Sequence, residues 1–368
     1  MNKLCLIYNT APHYREAIFT AIDKEYDCDW YFGETGTDIK EMDLSKLKHI
    51  KYYKSIGNPQ KLYWQGALIP CLFKRKYKNF FILTESRSLS FWTFILLKSL
   101  LFPKKRVFGW SHGWYGREGK LRRLFDWLRM KAMTGQFVYN ERTRNLMVQG
   151  GIPESKLHVI YNSLDYTTQK ELRDRIKRSD IYQRHFKNDL PTLIFIGRLT
   201  PVKKLPLLLA ALEMLKKEGF IMNLCLVGDG VEKKSLVKQA QRLNLDSNVW
   251  FYGACYDETK NAELVYNADL CVAPGNIGLT AMHTLMFGTP AVSHSDFKMQ
   301  MPEFEAIKPG ITGDFFTYND VSSLAETILK WFREHPDRDS VRQACYNEID
   351  SKWNPENQMR IIKEHIKI

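Results

Sequence analysis

No two of the seven cysteines form a C-x-x-C pair, and none keeps metal-ligand spacing with a histidine, so the chain encodes neither a dithiol redox centre nor a zinc site. Cys5, Cys225 and Cys271 lie inside apolar runs and read as reduced, buried thiols; an odd number also leaves no closed disulfide framework. No apolar run reaches the roughly 20 residues of a membrane-crossing helix. The longest, LSFWTFILLKSLLF, has 14 residues and contains Lys98. The opening MNKLCLIYNT has one Lys and then a run too short and polar for a secretory leader, so the expectation is a cytoplasmic protein. There is no G-x-G-x-x-G dinucleotide fingerprint, no helix-turn-helix, zinc or RNP pattern, and no repeat shorter than a domain.

Acidic residues are scarce in one region. Residues 51–131 carry 3 acidic and 18 basic side chains, interleaved with Trp, Tyr and Phe. Residues 1–165 hold 27 Lys and Arg against 15 Asp and Glu, a net of +12, whereas the remainder holds 27 against 26, a net of +1. The first half therefore meets something anionic, either nucleic acid or an anionic membrane surface. In GREGKLRRLFDWLRMK, Leu121, Leu124, Phe125 and Leu128 recur at helical spacing while Arg122, Arg123 and Arg129 point elsewhere, the pattern of a helix lying at a lipid interface. With no nucleic-acid motif present, the membrane surface is the expected partner.

What is plentiful is alternation. At 368 residues and 44% hydrophobic, the chain has room for two domains with their own cores. Strand-like runs (KLCLIYN, CDWYFG, NFFILTE, RVFGWSH, GQFVYN, LHVIYNS, then TLIFIGR, NLCLVGDG, NVWFYG, DLCVAPG, PAVSH) are separated by helix-like runs from end to end. This predicts α/β architecture with two Rossmann-like, doubly wound parallel sheets. Between them the polar stretch 166–189 carries no strand, which sets domains at 1–165 and 190–350, with an amphipathic helix at about 354–368 returning to the first. Ligands of doubly wound sheets sit at the carboxyl ends of strands, so the chemistry is expected where the two domains face each other across a cleft.

Several strand-end segments carry candidate chemistry. In GRLTPVKK a glycine turn brings Arg198, a planar fork for phosphate oxygens, together with Lys203, a point charge; two cations aimed at one spot suit a diphosphate. In PGNIGLTAMHTLMFGTP, Gly275 and Gly278 allow backbone amides and a helix N-terminus to cradle an anion, with His283 further along that helix. VGDG is a turn at a strand end. GWSHGWYG puts His112 among glycines and aromatics, and NTAPHYRE offers His13, Tyr14 and Arg15 as acceptor contacts.

Taken together, GRLTPVKKLPLLLAALEMLK, LVGDG, NVWFYG, ADLCVAPGNIGLTAMHTLMFGTPAV and LHVIYNSLD resemble the retaining GT-B glycosyltransferases of family 4, over nearly all of the second domain. The resemblance implies transfer of a sugar from a UDP-sugar or GDP-sugar, with retained configuration and without a metal or other cofactor. The acceptor would be a lipid-linked saccharide at the inner face of a bacterial membrane. It implies that Arg198 and Lys203 hold the donor diphosphate and that His112 contacts the transferred sugar. The donor set would include Gly197, Gly228, Tyr252, Gly253 and the run Gly275, Asn276, Ile277, Gly278, Leu279, Thr280, whose amides from Asn276 onward would meet the phosphates. The sequence departs from the family at one motif: Gly275 and His283 stand where the pattern is Glu, seven residues, Glu. Glu303 or Glu305 is the expected substitute for the first carboxylate, with Glu305 chosen. A GT-B relative that binds nucleotide sugar without catalysis is the alternative these exchanges imply.

Overall fold

A computed structural model describes residues 3–33, 40–58 and 61–368. The chain divides into two compact units, residues 1–165 with 354–368, and residues 166–353.

The first unit contains β1 (Lys3–Tyr8), α1 (Glu16–Glu25), β2 (Cys28–Gly33), β3 (Ile50–Tyr53), β4 (Ser55–Gly57), β5 (Tyr63–Gln65), α2 (Leu68–Phe73), β6 (Tyr77–Leu83), α3 (Leu89–Leu101), β7 (Arg106–Trp110), α4 (Lys120–Ala132), β8 (Gly135–Val138), α5 (Glu141–Gln149) and β9 (Leu157–Val159). Seven of these strands form a parallel sheet in the order β3-β2-β1-β6-β7-β8-β9; β4 and β5 pair antiparallel apart from it. The central strands read as near-continuous apolar runs because helices cover both faces, and Leu4 to Tyr8 of β1 are all buried. Phe19, Trp30, Phe81, Trp110 and Phe137 fill one side of the sheet.

The second unit contains α6 (Tyr166–Arg175), α7 (Ile181–Phe186), β10 (Thr192–Ile196), α8 (Leu205–Lys217), β11 (Asn223–Val227), α9 (Lys233–Arg242), β12 (Val249–Gly253), α10 (Glu258–Asn267), β13 (Leu270–Ala273), α11 (Leu279–Met286), β14 (Ala291–His294), β15 (Gly313–Phe316), α12 (Val321–Glu334) and α13 (Arg338–Lys352). Its six strands are parallel in the order β12-β11-β10-β13-β14-β15. Finally α14 (Pro355–His365), opened by an Asn354 side-chain cap and Pro355 in its first turn, belongs to the first unit, where Ile361, Ile362 and Ile366 enter the core beside Ile18 and Trp30.

One detail differs from the sequence reading. The polar stretch 166–189 is two helices of the second unit: Arg173 forks onto Asp350 at 2.9 Å through both nitrogens, and the buried Tyr182 hydroxyl donates to Leu264 O at 2.7 Å. Lys98, which interrupts the apolar run of α3, turns inward and donates to Ala132 O at 3.0 Å, so the charge does not mark an exposed face. All seven cysteines are free thiols, six of them buried.

Candidate functional site

Strand order places the site. β10 and β13 are neighbours, yet the chain leaves β10 toward β11 and leaves β13 toward β14, so their following loops diverge and open a crevice at the carboxyl ends. The loop after β10 is Gly197–Lys204 and the loop after β13 is Pro274–Gly278, the two segments with candidate anion-binding groups. They are pressed together backbone to backbone. Gly275 N donates to Lys203 O at 2.9 Å, and a Cβ on Gly275 would lie 2.0 Å from Val202 O and 2.6 Å from Lys203 C. Any side chain at 275 displaces this loop, which is the physical reason a carboxylate is not accommodated there. Gly228, at φ +147°, meets the same demand one strand over, where a Cβ would sit 1.9 Å from Gly197 O. Its amide donates to Gly253 O at 2.8 Å, which aligns the ends of β10, β11 and β12, with Tyr252 packed on Trp250 at the sheet edge.

Lys203 is the electrostatic centre of this arrangement. Its Nζ donates to Asn276 O at 2.7 Å and Asn276 Oδ1 at 2.9 Å. Burial and the nearby Arg198 guanidinium push its pKa down to about 8, against the pull of Glu303. Arg198 itself is exposed. A desolvated ammonium beside a second cation is a costly arrangement that a bound anion relieves. The carboxylate that acts on Lys203 is Glu303, which is buried and whose Oε2 lies 3.8 Å from the Cβ position of Gly278. Glu305 was the expected substitute; within the short turn 302–306 it is Glu303 that is buried, while Glu305 is half-exposed.

The amide run is shorter than the sequence suggested. Ile277 N–H donates to Gln300 Oε1 at 2.8 Å, and its side chain is buried, so it is withdrawn from the cradle. Gln300 also donates to Ser293 Oγ at 2.8 Å and His294 O at 2.9 Å, and Ser293 donates to Ala273 O at 2.8 Å, a brace that holds the loop from behind. The anion-facing end is the first turn of α11, capped by Gly278, where Leu279 and Thr280 amides have no intrahelical acceptor. Thr280 Oγ donates to Ile196 O at 2.9 Å and ties this turn to β10.

His283 does not stand alone. Its Nε2 lies 2.9 Å from Glu258 Oε1 on α10, and the same oxygen accepts Gln169 Nε2 at 2.7 Å. Burial pushes the Glu258 carboxyl up, but the His283 charge and these hydrogen bonds hold it below its ordinary value. A carboxylate thus stands behind the imidazole. Glu258 was missed in the sequence because an acid opening a helix after an Asp cap carries no distinguishing signal; only its tertiary contact with His283 reveals it.

In the first unit β1 and β6 form the corresponding switch point. Of the three acceptor candidates after β1, His13 is exposed with Nδ1 3.1 Å from Lys40 O, Tyr14 is half-buried, and Arg15 is buried, bonded to the Tyr139 hydroxyl and lying 4.6 Å over the Trp110 ring. His112 joins Arg15: its ring lies 4.8 Å from that of Tyr139. Burial, then the charge of Arg15, lowers its pKa to about 4, so the imidazole is neutral near pH 7. His112 Nδ1 is buried and meets no hydrogen-bond partner among the described residues. Two Asp-x-Asp sequences occur: Asp27 and Asp29 pair with Lys3, whereas Asp337 caps α13 and Asp339 is exposed, 4.0 Å from Arg342.

Two parallel-sheet α/β units, each with its polar residues at a switch point, define the GT-B fold. The chain resembles a solved Anabaena protein, Alr3699/HepE crystallised with UDP, at 17% identity and TM-score 0.72 over 98% of both chains. It resembles a glycosyltransferase from Rickettsia africae at 15% identity and TM-score 0.72, over 100% of this chain and 99% of that one. Residues 177–348, in the second unit, match the family model Glycosyl transferases group 1. A protein of Klebsiella pneumoniae described as an uncharacterized 41.2 kDa protein in the cps region is 23% identical over 214 residues, 56% of this chain and 53% of that protein. The chain aligns with only about half of that relative's length. Glycogen synthase of Mycobacterium tuberculosis is 29% identical over 139 residues, 37% of this chain and 32% of its own.

Proposed function

We propose that the protein is a retaining, metal-independent glycosyltransferase that moves a sugar from a nucleotide diphosphate sugar, a UDP-sugar ahead of a GDP-sugar, to a lipid-linked saccharide in bacterial surface polysaccharide synthesis. The observation that carries the reading is the buried Lys203 beside Arg198 and the N-terminus of α11 at the β10/β13 switch point. The UDP in the Anabaena structure and the cps region of the Klebsiella relative support the donor class and the setting.

Charge develops on the diphosphate as the bond from the sugar C1 to the phosphate oxygen breaks. Arg198, Lys203 and the first-turn amides of α11 stabilise that charge where it forms, commonly the largest catalytic contribution. The acceptor hydroxyl attacks the same face, and its proton passes to the departing phosphate oxygen. His112, neutral near pH 7, orients a sugar hydroxyl by a hydrogen bond and does not shuttle the proton. Glu258 and His283 take the place of one carboxylate toward the nucleotide, as a neutral or singly charged pair. The net +12 of residues 1–165 suits peripheral attachment to the inner face of an anionic membrane.

Gly275 and His283 favour a second reading, a nucleotide-sugar-binding protein without turnover. Thermal shift against UDP, GDP, ADP and CMP tests the donor site: one nucleotide raises the melting temperature of the protein and fails to do so for Arg198→Ala. Turnover with a panel of nucleotide sugars then separates enzyme from binder. If no nucleotide shifts the melting temperature, both readings fall.

A further inference from the structure

Arg15 is buried without a counter-charge. It is 9% exposed, and its side chain has one hydrogen-bond partner among the described residues, the Tyr139 hydroxyl, which accepts from Nη2. Nη1 is buried and meets none. The guanidinium lies 4.6 Å over the Trp110 ring and 5.5 Å from the centre of the Tyr139 ring, faces that attract a cation without neutralising it. Arg129, the other arginine buried in this unit, is paired with the buried Asp126 at 2.8 Å, which is how a folded chain ordinarily keeps such a charge.

The groups around Arg15 are short of an acceptor as well. Tyr8 Oη, Trp110 Nε1 and His112 Nδ1 are buried and meet no hydrogen-bond partner among the described residues. They belong to one cluster: Tyr8, the last residue of β1, meets Trp110, the last residue of β7, edge to face with ring centroids 6.0 Å apart, and the His112 ring lies 4.8 Å from that of Tyr139. Guanidinium and indole can only donate, a phenol can donate, and a neutral imidazole donates from one nitrogen. Water can take these hydrogen bonds, but only an anion also takes the charge. With His112 neutral near pH 7, the cluster holds one positive charge, which suits a monoanion better than a phosphate dianion. Its place at the carboxyl ends of parallel strands is where a doubly wound sheet receives ligands.

We infer that Arg15, with Tyr8, Trp110 and His112, binds a singly charged oxyanion, the carboxylate of an acidic sugar or a phosphodiester, at the carboxyl ends of β1 and β7. That this anion is part of the acceptor rests on the proposed transfer reaction; the site itself does not. With Nδ1–H of His112 given to the anion, Nε2 is left to accept from a sugar hydroxyl. Thermal shift of the full chain tests the site with sodium glucuronate, sodium dimethyl phosphate and glucose, the two salts against sodium chloride at matched ionic strength. Glucuronate or dimethyl phosphate raises the melting temperature and glucose does not, and the anion that acts names the source. Arg15→Met weakens that anion about thirtyfold or more. Trp110→Phe, which keeps an aromatic ring and removes one N–H, weakens it about tenfold, and it carries the comparison should the methionine variant not fold. A wild type that answers to neither anion, or equally to glucose, overturns the site, as does a response that Trp110→Phe leaves undiminished. Nucleotide reads the donor site separately: a shift with nucleotide and none with either anion removes this inference alone, whereas a shift with an anion and none with any nucleotide keeps the oxyanion site and removes its acceptor role.

Discussion

Lys203 should add almost nothing to the stability of the empty protein while carrying much of its response to nucleotide. Its pKa is pushed from 10.5 to about 8, chiefly by burial. At 1.36 kcal/mol per pH unit, holding the ammonium in place costs the empty protein about 3 kcal/mol at pH 7. Lys203→Met removes that cost and gives up two hydrogen bonds from the charged ammonium to Asn276, about 1.5 kcal/mol each. The two nearly cancel, so the melting temperature of the empty protein should change by no more than about 2 °C. The same variant loses the charge that meets a diphosphate, so the nucleotide-induced shift collapses. The sign with pH follows from linkage. Between about 8 and 10.5 the unfolded lysine holds a proton that the folded one has released, so the wild type gains stability as pH rises through that window. The stability of Lys203→Met relative to the wild type should therefore fall from pH 7 to pH 10. Scanning calorimetry of both proteins, with and without UDP, reads all three effects. A methionine variant that is several degrees less stable when empty, or that keeps the full UDP response, refutes the reasoning.

Three further outcomes are expected. Gly275→Ala drives a methyl into the Val202 and Lys203 backbone and should cost the second unit about 3 kcal/mol or more, read by urea unfolding; Gly275→Glu should be no better tolerated. Glu258→Gln should lower the melting temperature at pH 7. Because the folded carboxyl sits below its ordinary value of 4.5, the deficit should close as pH falls through the folded value, and a deficit that persists in acid would show that shape and not charge holds the pair. His112→Ala should reduce kcat about a hundredfold. With its pKa near 4, His112 should leave the wild-type rate profile flat through pH 6.5, where an inflection would contradict a neutral imidazole.

The alternation of strands and helices was legible because apolar runs of four to seven residues with turn residues between them satisfy a parallel sheet buried on both faces. Arg198, Lys203 and the Gly275–Thr280 segment could be placed at strand ends for the same reason. Helix α13 and the two helices of 166–189 were not read, since their polar composition hides the few inward residues, such as Arg173 and Tyr182, that anchor them. The inward turn of Glu303 in place of Glu305 depends on one short helical turn that spacing alone does not resolve.

Local chemistry by itself determined most of the elements, the cluster of positive charge in the first half and the residues able to hold an anion, because these depend on neighbours in the chain. Tertiary structure alone decided three things: that Gly275 is packed too tightly for any carboxylate, that Ile277 spends its amide on Gln300, and that Glu258 stands behind His283. Each is a contact between segments more than twenty residues apart, and a contact at that distance is set by how helices and strands pack, which no local pattern records.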